Sequence, residues 1–153
     1  MQTEALQKYL EAWEFELTFG EETDQFLNVN VHPHQLLEFM RKLKSDPETY
    51  FDYLFCLTAV DWESTMEVVY HLESTKHRHI LVVRTKTDER ATPVLDSVSN
   101  IWATAEFHER EAFDFFGIHF KDHPNLKRLF LTEDWKGYPL RKDYTDEANM
   151  VIK

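Results

Sequence analysis

The sequence predicts an α+β fold, in which helices pack on one mainly antiparallel sheet and an extended C-terminal arm follows. Residues 66–73 and 78–86 have the composition of strands, and the four polar residues between them indicate an antiparallel hairpin. Apolar residues at helical spacing precede and follow this hairpin. Beyond Gly117 the chain contains two prolines and one glycine and shows no regular period. We therefore predict a compact body over residues 1–118 and an arm over residues 119–153.

The first third of the chain predicts a helix, two strands and a second helix. Apolar residues spaced by three and four indicate the first helix over residues 4–13. Alternation of apolar and polar residues predicts strands over residues 14–19 and 26–31. Pro33 suits the first turn of a helix that runs along an apolar stripe to about Lys44.

The middle of the chain predicts the centre of the sheet. Residues 51–62 are too apolar for an exposed strand, so we expect a central strand there. The hairpin of residues 66–73 and 78–86 comes next. Two short helices are expected after it, over residues 93–103 and 105–116.

Composition excludes several classes of protein. The chain has 153 residues and 42% apolar content, which suits one domain with a packed core. Its three glycines are far apart, so none of them can build a phosphate-binding loop. The single cysteine, Cys56, lies in an apolar run, and we expect a buried core residue rather than a cluster ligand or a reactive thiol. No apolar stretch approaches the roughly 18 residues that a membrane span needs.

Charge is divided unevenly between the body and the arm. The net charge of −11 argues against nucleic acid as a partner. Residues 1–118 carry 10 Lys and Arg against 22 Asp and Glu, whereas residues 119–144 carry 6 against 4. This difference indicates that the arm faces another environment than the body does.

The helix predicted over residues 105–116 carries a cluster of charged side chains. Glu106, Arg110 and Asp114 follow one another at intervals of four residues, and Glu111 lies three residues before Asp114. Glu111 and Asp114 could act as general acid and base in a small stand-alone enzyme. We favour the alternative, in which Arg110 is held by its acidic neighbours, positions the helix and ties it to the arm.

The histidines are weaker candidates for metal binding. His119 and His123 are four residues apart, but the helix is predicted to end before them. His71, His77 and His79 cluster at the hairpin, where a solvated surface is the expected role. We therefore predict no metal site.

The arm is too apolar to remain in water as a free tail. Its large apolar side chains are Leu126, Leu129, Phe130, Leu131, Trp135, Tyr138, Leu140 and Tyr144. Ordering the arm costs about 1–2 kcal/mol of backbone entropy per residue, so substantial burial must offset that cost. The body can supply part of this burial, and a second protein can supply the rest through Trp, Tyr and Arg contacts. We therefore predict that the arm is a docking element.

One stretch of the chain has a distinctive set of residues. It comprises Glu109-Arg110-Glu111, Asp114-Phe115-Phe116-Gly117-Ile118, His123-Pro124, Lys127-Arg128-Leu129 and, without interruption, Trp135-Lys136-Gly137-Tyr138-Pro139-Leu140-Arg141-Lys142-Asp143-Tyr144. This pattern resembles the 30-kilodalton-type subunit family (the C subunit) of respiratory complex I, the NADH–quinone oxidoreductase, and residues 57–61 fit a weaker motif of that family. Phe130 departs from the family pattern, which usually has a smaller aliphatic residue there.

The resemblance implies a subunit that itself binds no flavin, iron–sulfur cluster or quinone. The whole complex uses NADH, FMN, iron–sulfur clusters and quinone, and couples electron transfer to proton translocation. The implied partners are the large D subunit, on which the arm lies, and the B subunit. Because no presequence is evident, we expect a bacterial protein held peripherally, through the complex, on the cytoplasmic side of the cell membrane.

The resemblance also implies roles for the matching residues. The structural motif of the body comprises Glu109, Arg110, Glu111, Asp114 and Gly117. The residues expected to dock on the partner are His123, Pro124, Arg128, Leu129, Trp135, Gly137, Pro139, Leu140, Arg141, Lys142, Asp143 and Tyr144. No catalytic residue is expected. Similar domains occur in membrane-bound hydrogenases and related oxidoreductases, so an equivalent subunit of such a complex is an alternative.

Overall fold

The computed structural model describes residues 3–20 and 25–145. The predicted α+β fold is confirmed. Its helices are α1 (Thr3–Glu11), α2 (Leu36–Ser45, after a 3-10 turn at Pro33–Gln35) and α3 (Ala105–Phe116), and its strands are β1 (Leu17–Phe19), β2 (Leu27–Val31), β3 (Tyr53–Asp61), β4 (Met66–Ser74), β5 (His79–Thr87), β6 (Val94–Asp96) and β7 (His119–Lys121).

Five of these strands form one sheet in the order β1-β2-β5-β4-β3. Pairing is antiparallel except between β2 and β5, so the prediction of a mainly antiparallel sheet is confirmed. The predicted hairpin is β4 and β5, which pair from Met66 with Thr87 to Ser74 with His79. The other two strands, β6 and β7, form a separate parallel pair.

The core lies between the sheet and the helices. Alternate residues of β4 and β5, such as Tyr70 and Val83, are completely buried in it. The stripe of α2 contributes Leu36, Phe39 and Met40, which agrees with the predicted apolar face of that helix. The helix α3 closes the core, and Gly117 ends it with φ +76°, a left-handed conformation that favours glycine.

The prediction that residues 51–62 form a central strand is wrong, because β3 lies at the edge of the sheet. Its apolar character has another cause: α3 packs against β3, and Leu54 and Leu57 reach the core. Tyr53 and Trp62, near the two ends of this segment, are exposed. Burial by a helix therefore produced the composition that had indicated a central strand.

The predicted helix over residues 93–103 is also wrong. Val94–Asp96 is the strand β6, and the residues after it form turns that still bury Val98 and Trp102. The backbone N–H of Val98 donates to the Glu109 carboxylate at 2.9 Å. A side chain of α3 therefore binds this segment.

Two further boundaries differ from the prediction. Only Leu17–Phe19 of the expected strand 14–19 is a strand. His119–Lys121, which the sequence places at the start of the arm, pairs with β6 and buries Phe120 in the core.

Candidate docking surface

The side chain of Asp114 holds the beginning of the arm. It lies on α3 and is completely buried. One carboxylate oxygen accepts the backbone N–H of Phe130 at 2.8 Å, of Leu131 at 3.0 Å and of Leu129 at 3.3 Å. The other oxygen accepts from Arg128 at 3.2 Å. Four donors from one segment of the arm therefore meet at this carboxylate.

These donors decide the charge of Asp114. Burial acts to raise the pKa of its carboxyl, but the hydrogen bonds from Phe130, Leu131 and Arg128 outweigh burial and lower that pKa. The group therefore remains ionised at neutral pH. Both carboxylate oxygens of Asp114 accept hydrogen bonds within the chain, whereas the side chain of Glu111 is exposed.

Arg128 connects α3 with the later part of the arm. Its guanidinium donates to the Asp114 backbone carbonyl at 2.8 Å, to the Gly137 carbonyl at 2.8 Å and to the Trp135 carbonyl at 3.1 Å. It also lies over the ring of Tyr138, 4.8 Å from the centroid. Although the sequence predicts docking on a partner, the polar bonds of Arg128 serve the fold of its own chain.

Arg110 binds the arm and not its acidic neighbours on α3, which corrects the expectation from the sequence. It is buried, but no ion pair joins it to Glu106 or Asp114 in the described part of the chain. Its guanidinium instead donates to the Lys127 carbonyl at 3.3 Å and the Arg128 carbonyl at 3.2 Å. Its predicted tie to the arm is therefore observed, whereas the Asp114 carboxylate binds other groups of the arm.

Gly117 allows the arm to approach the end of α3. A Cβ atom at this position would lie only 2.7 Å from the ring of Tyr138. The left-handed backbone conformation would also be strained for a residue other than glycine. Gly137 also has a positive φ, +81°, and the ring of Tyr144 lies 3.1 Å from where its Cβ would be. Each glycine therefore admits a tyrosine ring of the arm.

Glu109 and His123 form a second buried cluster beside the first residues of the arm. Glu109 accepts from the Ser97 hydroxyl at 2.6 Å and from the Val98 N–H. Burial raises the pKa of Glu109 to about 7, although both hydrogen bonds act to lower it. The His123 ring nitrogen Nε2 lies 3.0 Å from the Glu106 carbonyl and 3.9 Å from the nearer Glu109 oxygen. Since its side chain is fully buried, His123 holds the arm rather than facing a partner.

The end of the arm returns to strand β3. Asp61 forms two bonds with the Arg90 guanidinium, at 2.9 and 2.5 Å, and accepts the Lys142 backbone N–H at 2.8 Å. The bond from Arg90, opposed by burial, is the main reason that the pKa of Asp61 lies well below its usual range. Asp143 joins the network, because it pairs with Arg90 at 3.2 Å and with Arg141 at 2.9 Å.

Several apolar side chains remain exposed on this folded arm. Phe130 is 65% exposed and stacks on Phe115 of α3, with 5.8 Å between the ring centroids. Leu140 is 56% exposed, and Trp135 is exposed as well. Together with the exposed Pro124 and the half-buried Leu129 and Pro139, they form what we call the arm face.

A cleft of about 220 Å³ adjoins the arm face. It lies between β3, α3 and the arm, and Leu140 reaches into its lining. The other lining residues are Leu57, Thr58, Ala59, Glu111, Ala112, Phe115 and Phe116.

The remaining candidates have local structural contacts. His79 is buried, not solvated as expected, and its Nε2 lies 2.8 Å from the Thr49 carbonyl. His77 contacts the Pro47 carbonyl at 2.7 Å. Cys56 is half-buried rather than fully buried, and burial raises the pKa of its thiol. Within residues 3–20 and 25–145, no helix is long and apolar enough to cross a membrane.

Sequence reasoning did not find the Asp61–Arg90 pair. Asp61 is an acid at the end of an apolar strand, a position that signals a charge with a buried partner. Arg90 lies in a charged loop, where no periodic pattern distinguishes it from its neighbours. The pairing depends on the path of the loop, which the sequence pattern does not contain.

The fold and this surface define a small α+β domain that carries an ordered arm with exposed apolar side chains. The family model described as respiratory-chain NADH dehydrogenase, 30 Kd subunit, matches residues 29–149 of the chain. The C subunit of the NADH-quinone oxidoreductase of Roseiflexus castenholzii is 43% identical over 120 residues, which are 76% of this chain and 68% of that protein.

Another relative is much longer than this chain, whereas a similar solved structure has about the same length. The C/D subunit of the NADH-quinone oxidoreductase of Phocaeicola vulgatus is 48% identical over 122 residues, which cover 79% of this chain but 23% of that protein. A chain of the membrane-bound sulfane sulfur reductase, an archaeal respiratory membrane complex, is 27% identical with a TM-score of 0.77 and covers 95% of this chain and 86% of its own length. The chain therefore belongs to the family of the 30 Kd subunit of respiratory-chain NADH dehydrogenase, as the sequence predicts.

Proposed function

We propose that this chain is the C subunit of a proton-translocating NADH–quinone oxidoreductase and that its arm face docks on the D subunit. The chain serves as a scaffold and carries no active site of its own. NADH, FMN, the iron–sulfur clusters and quinone belong to other subunits of the complex. The chain lies peripherally on the cytoplasmic side of a bacterial membrane, with the B subunit as a further neighbour.

The observation that carries this proposal is the contrast between the interior and the exterior of the arm. Its polar groups bond to the body through Asp114, Arg110 and Asp61. Its large side chains Phe130 and Leu140 nevertheless remain exposed. Apolar side chains on a backbone that is already ordered are favourable for docking, because little further entropy is lost on binding.

The names of similar proteins support the D subunit as the partner. In Phocaeicola vulgatus and Bacteroides fragilis, a single polypeptide is named for both the C and the D subunit. A fused chain keeps its two parts at a ratio of one to one and near each other. The exposed ring of Phe130 and the exposed aliphatic side chain of Leu140 are suited to the apolar core of a protein interface.

The test is a pull-down of the tagged full-length chain from detergent-solubilised membranes of its own source. We expect the D subunit to co-purify with the native chain and its recovery to fall at least about tenfold with the double variant Phe130→Ser, Leu140→Ser, since two anchors are lost. Tyr50→Ser is the matched control, because Tyr50 is an exposed aromatic residue outside the arm segment. Unchanged recovery with the double variant would contradict docking through the arm face.

A second candidate function follows from the structural similarity to a sulfane sulfur reductase chain. The chain would then be the equivalent subunit of a related membrane-bound hydrogenase or oxidoreductase that takes its electrons from another donor. The same pull-down separates the two candidates, since subunits that oxidise NADH co-purify only in the first. Membranes that reduce quinone with NADH at a rate that depends on this chain would also exclude the second candidate.

A further inference from the structure

Strand β3 is an edge strand of the sheet. Within residues 3–20 and 25–145 it pairs with β4 on one side and with no strand on the other. An edge strand turns half of its backbone N–H and C=O groups away from the sheet, where they can pair with another extended chain.

The register shows that the backbone N–H and C=O groups of Leu57 and Ala59 point away from β4. In an antiparallel pair, bonded and non-bonded residue pairs alternate along the strand. The Trp62 N–H donates to the Thr65 carbonyl at 2.9 Å, so this is a bonded pair at the turn between β3 and β4. Ala59 opposite Val68 and Leu57 opposite Tyr70 are therefore non-bonded pairs.

Independent contacts at the other end of β3 agree with this assignment. The Leu54 carbonyl accepts from the Thr104 hydroxyl at 2.7 Å, so it points away from β4. Leu54 lies opposite Leu72, which is two residues from Tyr70 on β4. The backbone groups of Leu54 therefore point in the same direction as those of Leu57, which lies opposite Tyr70. The contacts at both ends of β3 thus agree that the backbone groups of Leu57 and Ala59 point away from β4.

Among the described residues, hydrogen bonds occupy both ends of this edge of β3 and leave the outward backbone groups of its middle without a partner. Thr104 binds the Leu54 carbonyl, and the Lys142 N–H binds the Asp61 side chain at the other end. Among the described residues, none forms a hydrogen bond to the outward backbone groups of Leu57 or Ala59. Both residues instead line the cleft of about 220 Å³.

The cleft beside this open segment suits an apolar side chain with a cation next to it. Phe115, Phe116 and Ala112 of α3 form an apolar wall, and Leu140 of the arm closes one side. Glu111 stands at the cleft with its side chain exposed. No ion pair joins Glu111 to a cation of the described part of the chain, which leaves its charge available to a Lys or Arg.

We propose that an extended segment of the D subunit pairs with β3 at Leu57 and Ala59 as a sixth strand of the sheet. One of its apolar side chains fills the cleft, and a Lys or Arg beside it pairs with Glu111. Pairing of this kind takes its affinity from backbone hydrogen bonds and its specificity from the pocket. The inference rests on the proposed function and adds the binding mode to it.

Two observations favour this occupant. Leu140 belongs both to the arm face and to the lining of the cleft, so one partner can cover both without a gap. The last described part of the arm also lies at the Asp61 end of β3, through Lys142. In some relatives, one polypeptide is named for both the C and the D subunit, which supports the D subunit as the neighbour.

Hydrogen exchange of the backbone amides tests the pairing. The isolated full-length chain and its purified complex with the D subunit are compared at single-residue resolution. We expect the Leu57 and Ala59 amides to exchange at least about tenfold more slowly in the complex than in the isolated chain, because each gains a hydrogen bond. Amides of Leu57 and Ala59 that exchange equally fast in both samples overturn the pairing, even where the D subunit still co-purifies.

Other occupants give distinct results that also overturn the proposal. Protection in the isolated chain that increases with protein concentration shows a second copy on the edge. Protection that is independent of concentration shows that the chain covers its own edge. Loss of the D subunit from the native pull-down contradicts the proposed function itself, so the two failures are distinguishable.

A proline variant separates backbone pairing from side-chain contact. Ala59→Pro removes the outward N–H, and proline is tolerated on an edge strand when its nitrogen faces away from the sheet. We expect it to weaken binding to the D subunit about tenfold. Ala59→Ser, which keeps the N–H, is the control and should bind normally. Equal binding by both variants, with melting temperatures that show intact folds, would overturn the pairing.

Discussion

Glu109 and Asp114 lie five residues apart on the same helix, and both are completely buried, yet their acidities shift in opposite directions. The pKa of Glu109 is raised to about 7, mainly by burial. The pKa of Asp114 is lowered, although burial acts on it in the same sense. Burial alone therefore does not determine the charge of a carboxyl group inside this protein.

The difference arises from the donors that reach each carboxylate. Asp114 receives three backbone N–H groups and Arg128, all from the arm. Glu109 receives one backbone N–H and one hydroxyl, and its nearest ring nitrogen, on His123, is 3.9 Å away. The folding of the arm thus supplies the charge compensation at Asp114. The Glu109 region has no comparable compensation.

The largest effect should come from removing the Asp114 carboxylate. Asp114→Ala leaves Arg128 and the three arm N–H groups without their acceptor in a buried site. We expect the free energy of unfolding to fall by about 3–5 kcal/mol, measured by urea denaturation. Glu111→Ala, an exposed position on the same helix, is the control and should change it by less than about 0.5 kcal/mol. A loss below about 1 kcal/mol in Asp114→Ala would mean that the arm is held by other contacts.

Replacing Glu109 should stabilise the protein, and the size of the gain should depend on pH. Because its folded pKa is raised, the folded state binds more protons than the unfolded state between about pH 4.5 and 7, so stability falls as pH rises through this window. We expect Glu109→Gln to gain about 2–3 kcal/mol relative to the native chain between pH 4.5 and 8.

Comparison with the native chain is essential to this pH experiment. His71 and His79 have lowered pKa values, mainly through burial, and make stability rise with pH below about 6.5. Their contribution is the same in both proteins and cancels in the difference. A difference that does not change with pH would show that Glu109 titrates normally.

Arg128→Lys tests how much of the Asp114 region depends on geometry rather than charge. Lysine keeps the positive charge but cannot reach the Asp114, Trp135 and Gly137 carbonyls together. We expect a loss of about 1–2 kcal/mol in the free energy of unfolding and faster proteolysis within the arm. Lys136→Arg, at an exposed position of the arm, serves as the control. Stability equal to that of the native chain would show that charge alone suffices.

The smallest effect is expected at the solvent-exposed end of the arm. Asp143 is half exposed and pairs with Arg141 and Arg90. Asp143→Asn should reduce the free energy of unfolding by at most about 1 kcal/mol, and this difference should disappear in 1 M salt, which screens exposed charges to a range of about 3 Å. A larger, salt-independent loss would show that this end is anchored as firmly as Asp114.

Local patterns predicted several elements correctly. The hairpin of β4 and β5, the stripe of α2 and the end of α3 at Gly117 follow from residue spacing and backbone preference within one segment. The family was also evident from the motif over residues 109–144, and the family model confirms it.

Two predictions that depended on neighbours distant in sequence were wrong. Residues 51–62 have the composition of a central strand because α3 covers β3, not because strands flank it on both sides. Residues 93–103 carry apolar residues at helical spacing, but Glu109 binds the Val98 N–H and β7 pairs with β6. The composition of a segment indicates that the segment is buried, but it does not indicate which helix or strand covers it.

The candidate site shows the same division. The sequence alone determined the family, the charged helix and the apolar character of the arm, because these are properties of residues adjacent along the chain. Only the tertiary structure decided that Arg110 binds carbonyls of the arm, that the pKa of Asp114 is lowered while that of Glu109 is raised, and that Asp61 meets Arg90. Such outcomes depend on which donors arrive from distant segments, and hydrogen bonds act over a few ångströms in space regardless of separation in sequence.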